Sequence, residues 1–123
     1  MSEVKYELPM FSSNLISEPD IFIKNMDVEF IIAGYDDEDT FSRICVKFSS
    51  VLGMKQTSAR FTPNLYGAYD KIVQMSESEW LKEMQELNND DYNYWNPNHY
   101  VMYLDGIGLY QFIAKSVEVR EFE

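Results

Sequence analysis

The sequence is poor in the residues from which metal centres and nucleophilic active sites are built. It contains one cysteine, Cys45, and one histidine, His99, in 123 residues. Zinc takes three or four protein ligands, so a His/Cys zinc site is excluded. A lone cysteine excludes an intrachain disulfide, and its neighbours Ile44 and Val46 indicate a buried, inert thiol. We expect neither a metal nor a cofactor.

Catalytic and nucleotide-binding motifs are also missing. No Gly-x-Ser-x-Gly elbow occurs, and no partner for His99 is apparent. Gly106 and Gly108 are the only closely spaced glycines, without the third glycine and the helix of a dinucleotide loop. The acidic stretches 36–40 and 91–95 lack the ligand order of a calcium loop. No specific residue can be given a catalytic role, so we expect a protein that is not an enzyme.

Basic residues and long apolar runs are scarce. Ten Lys and Arg stand against 21 Asp and Glu, which gives a net charge of −11. Such a field repels nucleic acid and anionic membranes, and it attracts a basic partner. No apolar run is long enough to span a bilayer, and MSEVKYELPM lacks the regions of a signal peptide. The sequence therefore predicts a cytoplasmic protein without affinity for nucleic acid or membranes, whose negative charge either attracts a basic protein partner or only keeps the protein soluble.

Apolar and aromatic residues, in contrast, are plentiful at 46% and 15%. That is enough for the core of a single domain spanning residues 1–123. Turn-forming residues over 1–20 predict an irregular N-terminal leader. Runs rich in β-branched and aromatic residues predict strands at 28–35, 41–48, 99–104, 109–114 and 117–122. The acidic residues between the first two of these strands predict a hairpin. Asp105-Gly106 predicts a tight turn, or, because Gly108 follows, a longer loop with a bulge.

Helical signals concentrate at residues 76–88. Ser76 followed by Glu79 fits a capping box, in which each side chain satisfies a free backbone N–H. Four apolar residues behind it share one helical face: Trp80, Leu81, Met84 and Leu87. We therefore predict an α+β fold, an antiparallel β-sheet with one well-marked α-helix at about 76–88 packed on it.

Residues suited to recognition cluster at the end of this helix and in the stretch NNDDYNYWNPNHY, residues 88–100. Trp and Tyr are frequent interface anchors, and acidic rims speed association with basic partners. The three rings of Tyr92, Tyr94 and Trp95 either anchor a partner or fold back onto the core. The run Asp36–Asp39 is either a solvated hairpin turn or a second contact point. The candidate partner-binding residues are Glu83, Glu86, Asp90, Asp91, Tyr92, Tyr94, Trp95, Asp36, Asp37, Glu38 and Asp39.

Two stretches, YDKIVQMSESEWLKEMQ (69–85) and NHYVMYLDGIGLYQFIAKSVEV (98–119), resemble small acidic bacterial immunity proteins of polymorphic-toxin systems. The similar pattern is a His-Tyr strand, a short turn, an aromatic strand ending in Ile-Ala and a last strand. The resemblance covers about a third of the chain. It implies a non-enzymatic cytoplasmic inhibitor that neutralises a cognate toxin, such as a nuclease, by occluding its basic active site.

Two other classes of function are compatible with the sequence. A small-ligand or regulatory binding module would use an apolar pocket lined by several of the many aromatic residues. A small enzyme using carboxylates would need two acids buried side by side with a raised pKa.

Overall fold

The computed structural model describes residues 2–122, which form seven strands and two α-helices. Their bounds are β1 (Ser2–Glu7), β2 (Asp20–Lys24), β3 (Asp27–Tyr35), β4 (Phe41–Ser58), β5 (Lys71–Met75), α1 (Glu79–Leu87), α2 (Asn89–Trp95), β6 (Asn98–Leu104) and β7 (Gly108–Glu121). All seven strands belong to one sheet in the order β1-β5-β6-β7-β4-β3-β2, and each neighbouring pair is antiparallel. The predicted α+β architecture with an antiparallel sheet is confirmed.

The helical region differs from the single helix predicted at 76–88, because two helices are present. The first begins later than expected, with Ser78 as its N-cap and not Ser76: the Ser78 hydroxyl accepts a hydrogen bond from the Leu81 N–H at 3.1 Å. Asn88 has an extended backbone that ends α1, and its side-chain oxygen then caps α2. An Asn at this junction favours the break, since its side chain bonds backbone groups that a continuous helix would use.

The strands follow the predicted runs but are longer. The strand expected at 41–48 continues to Ser58, and the two runs at 109–114 and 117–122 are one strand. The expectation of an irregular leader is wrong for residues 2–7, which pair with β5 as an edge strand.

The long pair of strands β4 and β7 lies in the middle of the sheet and divides it into two halves, with β6, β5 and β1 on one side and β3 and β2 on the other. It pairs from Ile44 opposite Glu121 to Ser58 opposite Gly108, and it is longer than the strands on either side. The register shifts between Val51 and Gly53, next to a positive φ of 53° at Ser50. Bulges bend a strand, so this irregularity lets the sheet fold over itself.

Aromatic contacts show that the core lies between the two halves. Phe30 of β3 meets Tyr110 and Phe112 of β7 edge-on, with ring centroids 5.0 and 5.6 Å apart. Phe48 of β4 stacks on Phe112 at 3.9 Å. All four rings are buried.

Residues 8–19 connect the two edge strands and close this core. Met10 is buried within it, and the Phe11 N–H donates to the Tyr35 carbonyl at 3.1 Å. The buried Ser12 hydroxyl donates to the Asp70 carboxylate and accepts from the Asp105 N–H at 2.7 Å. These bonds fix the connection as an integral part of the domain. Neither α1 nor α2, the helices present between residues 2 and 122, has the length and apolar run that a membrane crossing needs.

Candidate partner-binding surface

Helix α1 is attached to the outer face of the sheet mainly through Trp80. Its indole lies against Gly53, where an added Cβ would sit only 2.8 Å from Cζ2 of the ring. The Lys55 ammonium lies 4.1 Å from the ring centroid, and the ring of His99 lies edge-on at 5.4 Å. A glycine at position 53 is therefore required for this close approach.

A buried polar chain fixes the start of the same helix. The Ser78 hydroxyl lies 2.7 Å from His99 Nδ1, and His99 Nε2 lies 2.9 Å from Oε1 of Gln111. The amide oxygen accepts, so we place the proton of His99 on Nε2, and Nδ1 then accepts from the hydroxyl. His99 thus has two partners that the sequence did not reveal.

Burial lowers the pKa of His99, with a smaller opposing contribution from the Gln111 hydrogen bond. The neutral imidazole joins α1 to β6 and β7. The hydrogen-bonded series Ser78–His99–Gln111 differs from a Ser-His-Asp triad in two ways. Gln111 carries no charge to stabilise an imidazolium, and the Ser78 hydroxyl already caps the helix. The role of the series is that of a structural link.

The apolar face predicted for α1 is only partly covered by the sheet. Leu81 and Met84 are half-buried, while Leu87 is 82% exposed. No residue of either helix is fully buried. Part of the apolar face of α1 therefore stays open to solvent.

An open groove of about 250 Å³ lies between the two helices and β4. We call it the helical groove; its lining is Leu52, Met84, Leu87, Asn88, Asp91, Tyr92 and Trp95. Tyr92 and Trp95 are half-buried there, so each ring partly folds back onto the protein and partly stays open for a partner to contact. Tyr94 is 77% exposed and lies edge-on to Trp95 at 5.2 Å. The groove thus offers aliphatic and aromatic contact area at the surface.

The surroundings of the helical groove are strongly acidic. Residues 76–96 contain six acids and one base, Lys82, a net charge of 1 − 6 = −5. That base is paired with Glu79 at 3.4 Å. The predicted site residues of this region, Glu83, Glu86, Asp90 and Asp91, are all exposed. Of these four, Asp91 lines the groove itself. Carboxylates beside an apolar groove suit a partner that is basic around an apolar anchor.

The second acidic run forms a separate structure, which we call the hairpin tip (Asp36–Asp39). Oδ1 of Asp36 accepts the N–H groups of Glu38 and Thr40 at 2.8 and 2.9 Å. Asp37, Glu38 and Asp39 are exposed. The tip precedes β4, whereas the groove adjoins this strand at Leu52, far along its length. The two groups of predicted residues are thus in different places.

Four groove residues were not among the partner-binding candidates chosen from the sequence: Leu52, Met84, Leu87 and Asn88. Leu87 carried a usable signal, because it is the last apolar position of the helix and stands directly before two asparagines. Leu52 carried none, since its position depends on the bulge in β4.

The described residues contain neither a cluster of metal-ligating side chains nor a fully buried carboxylate. Between residues 2 and 122 no group of three His, Cys, Asp or Glu residues is placed to hold a metal ion. The buried polar residues in this range are Ser12 and His99, so no carboxylate described is fully buried. Comparison with known proteins finds no matching family, no similar curated protein and no similar solved structure.

Proposed function

We propose that this chain is a non-enzymatic binding protein that neutralises a basic partner in the cytoplasm, in the manner of a bacterial immunity protein. The observation that carries the proposal is the helical groove, which Leu87 and Asp91 line and where Leu87 is exposed, with the exposed Tyr94 beside the groove's Trp95. Exposed apolar side chains ringed by like charges are typical of a protein interface.

The charges and the rings have different tasks. The carboxylates of the rim attract a basic partner over a distance and raise the association rate. Trp95 and Tyr92 then provide contact area at little cost in conformational entropy, which slows dissociation. Leu87 fills the partner's apolar contact point. The result is occlusion of the partner surface without any chemical step.

The partner's chemistry follows from this surface. A nuclease-type toxin carries Lys and Arg in the cleft that holds phosphates, and a carboxylate-rich surface competes for that cleft. The net charge of −11 gives the protein no affinity for nucleic acid or anionic membranes themselves. A cognate toxin encoded in the adjacent gene is therefore the partner to test.

Co-expression with the product of the gene immediately upstream tests the proposal. The first variant reverses one exposed acid in each of the two helices that form the groove, Glu86→Lys with Asp90→Lys. The matched control reverses two exposed acids of the hairpin tip, Asp37→Lys with Glu38→Lys. Both variants change the net charge by the same amount, so only the position of the charge differs.

We expect the complex to co-purify and the partner's toxicity to be suppressed. The groove variant should associate about tenfold more slowly at low salt, and the tip variant nearly as fast as the natural chain. Leu87→Asp should raise the dissociation rate. Absence of any complex would refute the immunity role, and association that is independent of salt would refute the electrostatic mechanism.

A further inference from the structure

The two edges of the sheet differ in how they are protected against further pairing. Edge strand β1 has a register shift between Val4 and Tyr6, and its charged residues alternate along the strand. Bulges and charges are the usual protection of an edge. Edge strand β2, with the sequence DIFIK, pairs with β3 over all five residues without a shift. Phe22 and Ile23 in its middle are 57% and 68% exposed.

We propose that β2 pairs antiparallel with β2 of a second copy of this chain, about a two-fold axis at Phe22. In this register Asp20 faces Lys24 of the other copy, Ile21 faces Ile23, and Phe22 faces its own equivalent. All five positions are complementary, and the Asp20–Lys24 pair forms twice because the contact is symmetric. A sheet continuous through both copies results.

The charges of β2 are available for such a contact. Among residues 2–122 the ion pairs are Lys5–Glu3, Lys47–Asp27 and Lys82–Glu79. Asp20 and Lys24 are in none of them, and both are exposed. Charged residues directly opposite each other on neighbouring strands attract or repel according to sign. Asp20 and Lys24 therefore favour an antiparallel second copy of β2, because only that orientation places opposite charges face to face.

The apolar positions support the same register. Side chains alternate along a strand, so Ile21 and Ile23 share one face, where Ile21 packs against the core. The exposed Ile23 extends this face beyond the core. In the paired copies, Ile21 of one chain covers Ile23 of the other, and apolar area now open to water becomes buried.

The ends of β2 restrict the register further. Pro19 has no N–H to donate, and Asn25 turns the chain away with a positive φ of 57°. Shifting the register by two residues would leave three positions paired and place Asp20 or Lys24 against Phe22. Only the arrangement centred on Phe22 uses the entire strand. No residue of β2 lines the helical groove, so this inference is independent of the proposed function.

A pair of charge variants tests this register. Asp20→Lys alone puts Lys against Lys at both ends, and Lys24→Asp alone puts Asp against Asp. Mixing the two variants in equal amounts restores both attractive pairs, but only between unlike chains. The matched control is Glu3→Lys on β1, which changes the net charge as Asp20→Lys does.

Sedimentation velocity over about 5 to 500 µM should show a monomer–dimer equilibrium for the natural chain. We expect each single variant to dimerise about tenfold more weakly, and the mixture to regain the natural dimer constant within about threefold. Native mass spectrometry should identify the mixed species as the heterodimer. Thermal unfolding of each variant checks that it is folded.

Four results would overturn the proposal. The first is a natural chain that stays monomeric over this range. The second is an Asp20→Lys variant that dimerises as well as the Glu3→Lys control. The third is an equimolar mixture that remains as weakly associated as its two components. The fourth is association of the natural chain that continues beyond the dimer to larger species.

Discussion

The hairpin tip and the acidic rim of the helical groove have the same sign of charge, but they are different kinds of surface. At the tip, Asp36 uses its carboxylate to hold its own turn, and the flanking rings of Tyr35 and Phe41 pack edge-on at 5.4 Å. At the groove, the acids border apolar side chains that neither helix buries, Leu87 above all. Under the proposed function, a run of acids forms a binding surface only where open apolar area adjoins it.

The largest effect should come from removing the main ring of the groove. We expect Trp95→Ala to raise the dissociation constant of the partner complex by about 30- to 1000-fold, or about 2 to 4 kcal/mol, because buried Trp anchors dominate interfaces. Titration calorimetry with the purified partner measures it. Phe41→Ala is the control at the tip, and an equal loss from that variant would remove the distinction between the two surfaces.

The attachment of the helices to the sheet should depend on His99, which has no counterpart at the tip. His99→Ala leaves the Ser78 hydroxyl and the Gln111 amide without their shared partner, and it opens a cavity. We expect a loss of about 2 to 3 kcal/mol in the free energy of unfolding, measured with urea. Hydrogen exchange should increase more in α1 than at the hairpin tip. A uniform increase would show that His99 supports the whole sheet instead.

The same histidine should make stability depend on pH. Its pKa lies below the ordinary 6.5, mainly because of burial, so the unfolded chain binds a proton that the folded chain does not. The stability that neutral His99 contributes is fully present above about pH 6.5. It is lost as the pH falls below that value, by no more than about 1.4 kcal/mol per pH unit. Urea unfolding of the natural chain and of His99→Gln, compared between about pH 5 and 7.5 where histidine titrates, isolates the contribution of His99 to the free energy of unfolding. Identical pH profiles for the two proteins would contradict the assignment.

The smallest effect contrasts one acid from each surface. Asp36→Ala removes the acceptor of two backbone N–H groups and should cost about 1 kcal/mol of stability without weakening the partner complex. Asp90→Ala should change stability by less than about 0.5 kcal/mol while slowing association. Chemical unfolding and association kinetics of both variants test whether Asp36 affects stability but not binding, and Asp90 binding but not stability. The contrast fails if Asp36 affects binding as Asp90 does.

Local pattern in the sequence was enough to predict the central strands. Val28–Tyr35 alternates and is rich in β-branched residues, and β3 covers Asp27–Tyr35. The edge strand β1 was not predictable in this way. Its charged sequence SEVKYE becomes a strand because β5, more than sixty residues later, supplies the hydrogen-bonding partner.

The groove shows the same division between local and long-range information. Asp90, Asp91, Tyr92 and Trp95 were identified from charge and aromatic clustering, which a short window reveals. The exposure of Leu87 depends on how much of α1 the sheet covers. The contact of Ser78 with His99 joins residues 21 apart, which periodicity cannot indicate.

The most direct test of the helical groove as the binding surface is a backbone amide NMR map of the complex. Spectra of the labelled protein with and without the upstream gene product would show which amides change. We predict that the largest changes fall at Leu52 and at residues 84–95, with residues 36–41 almost unaffected. Changes centred on residues 36–41, with residues 84–95 unmoved, would contradict the groove as the site of recognition.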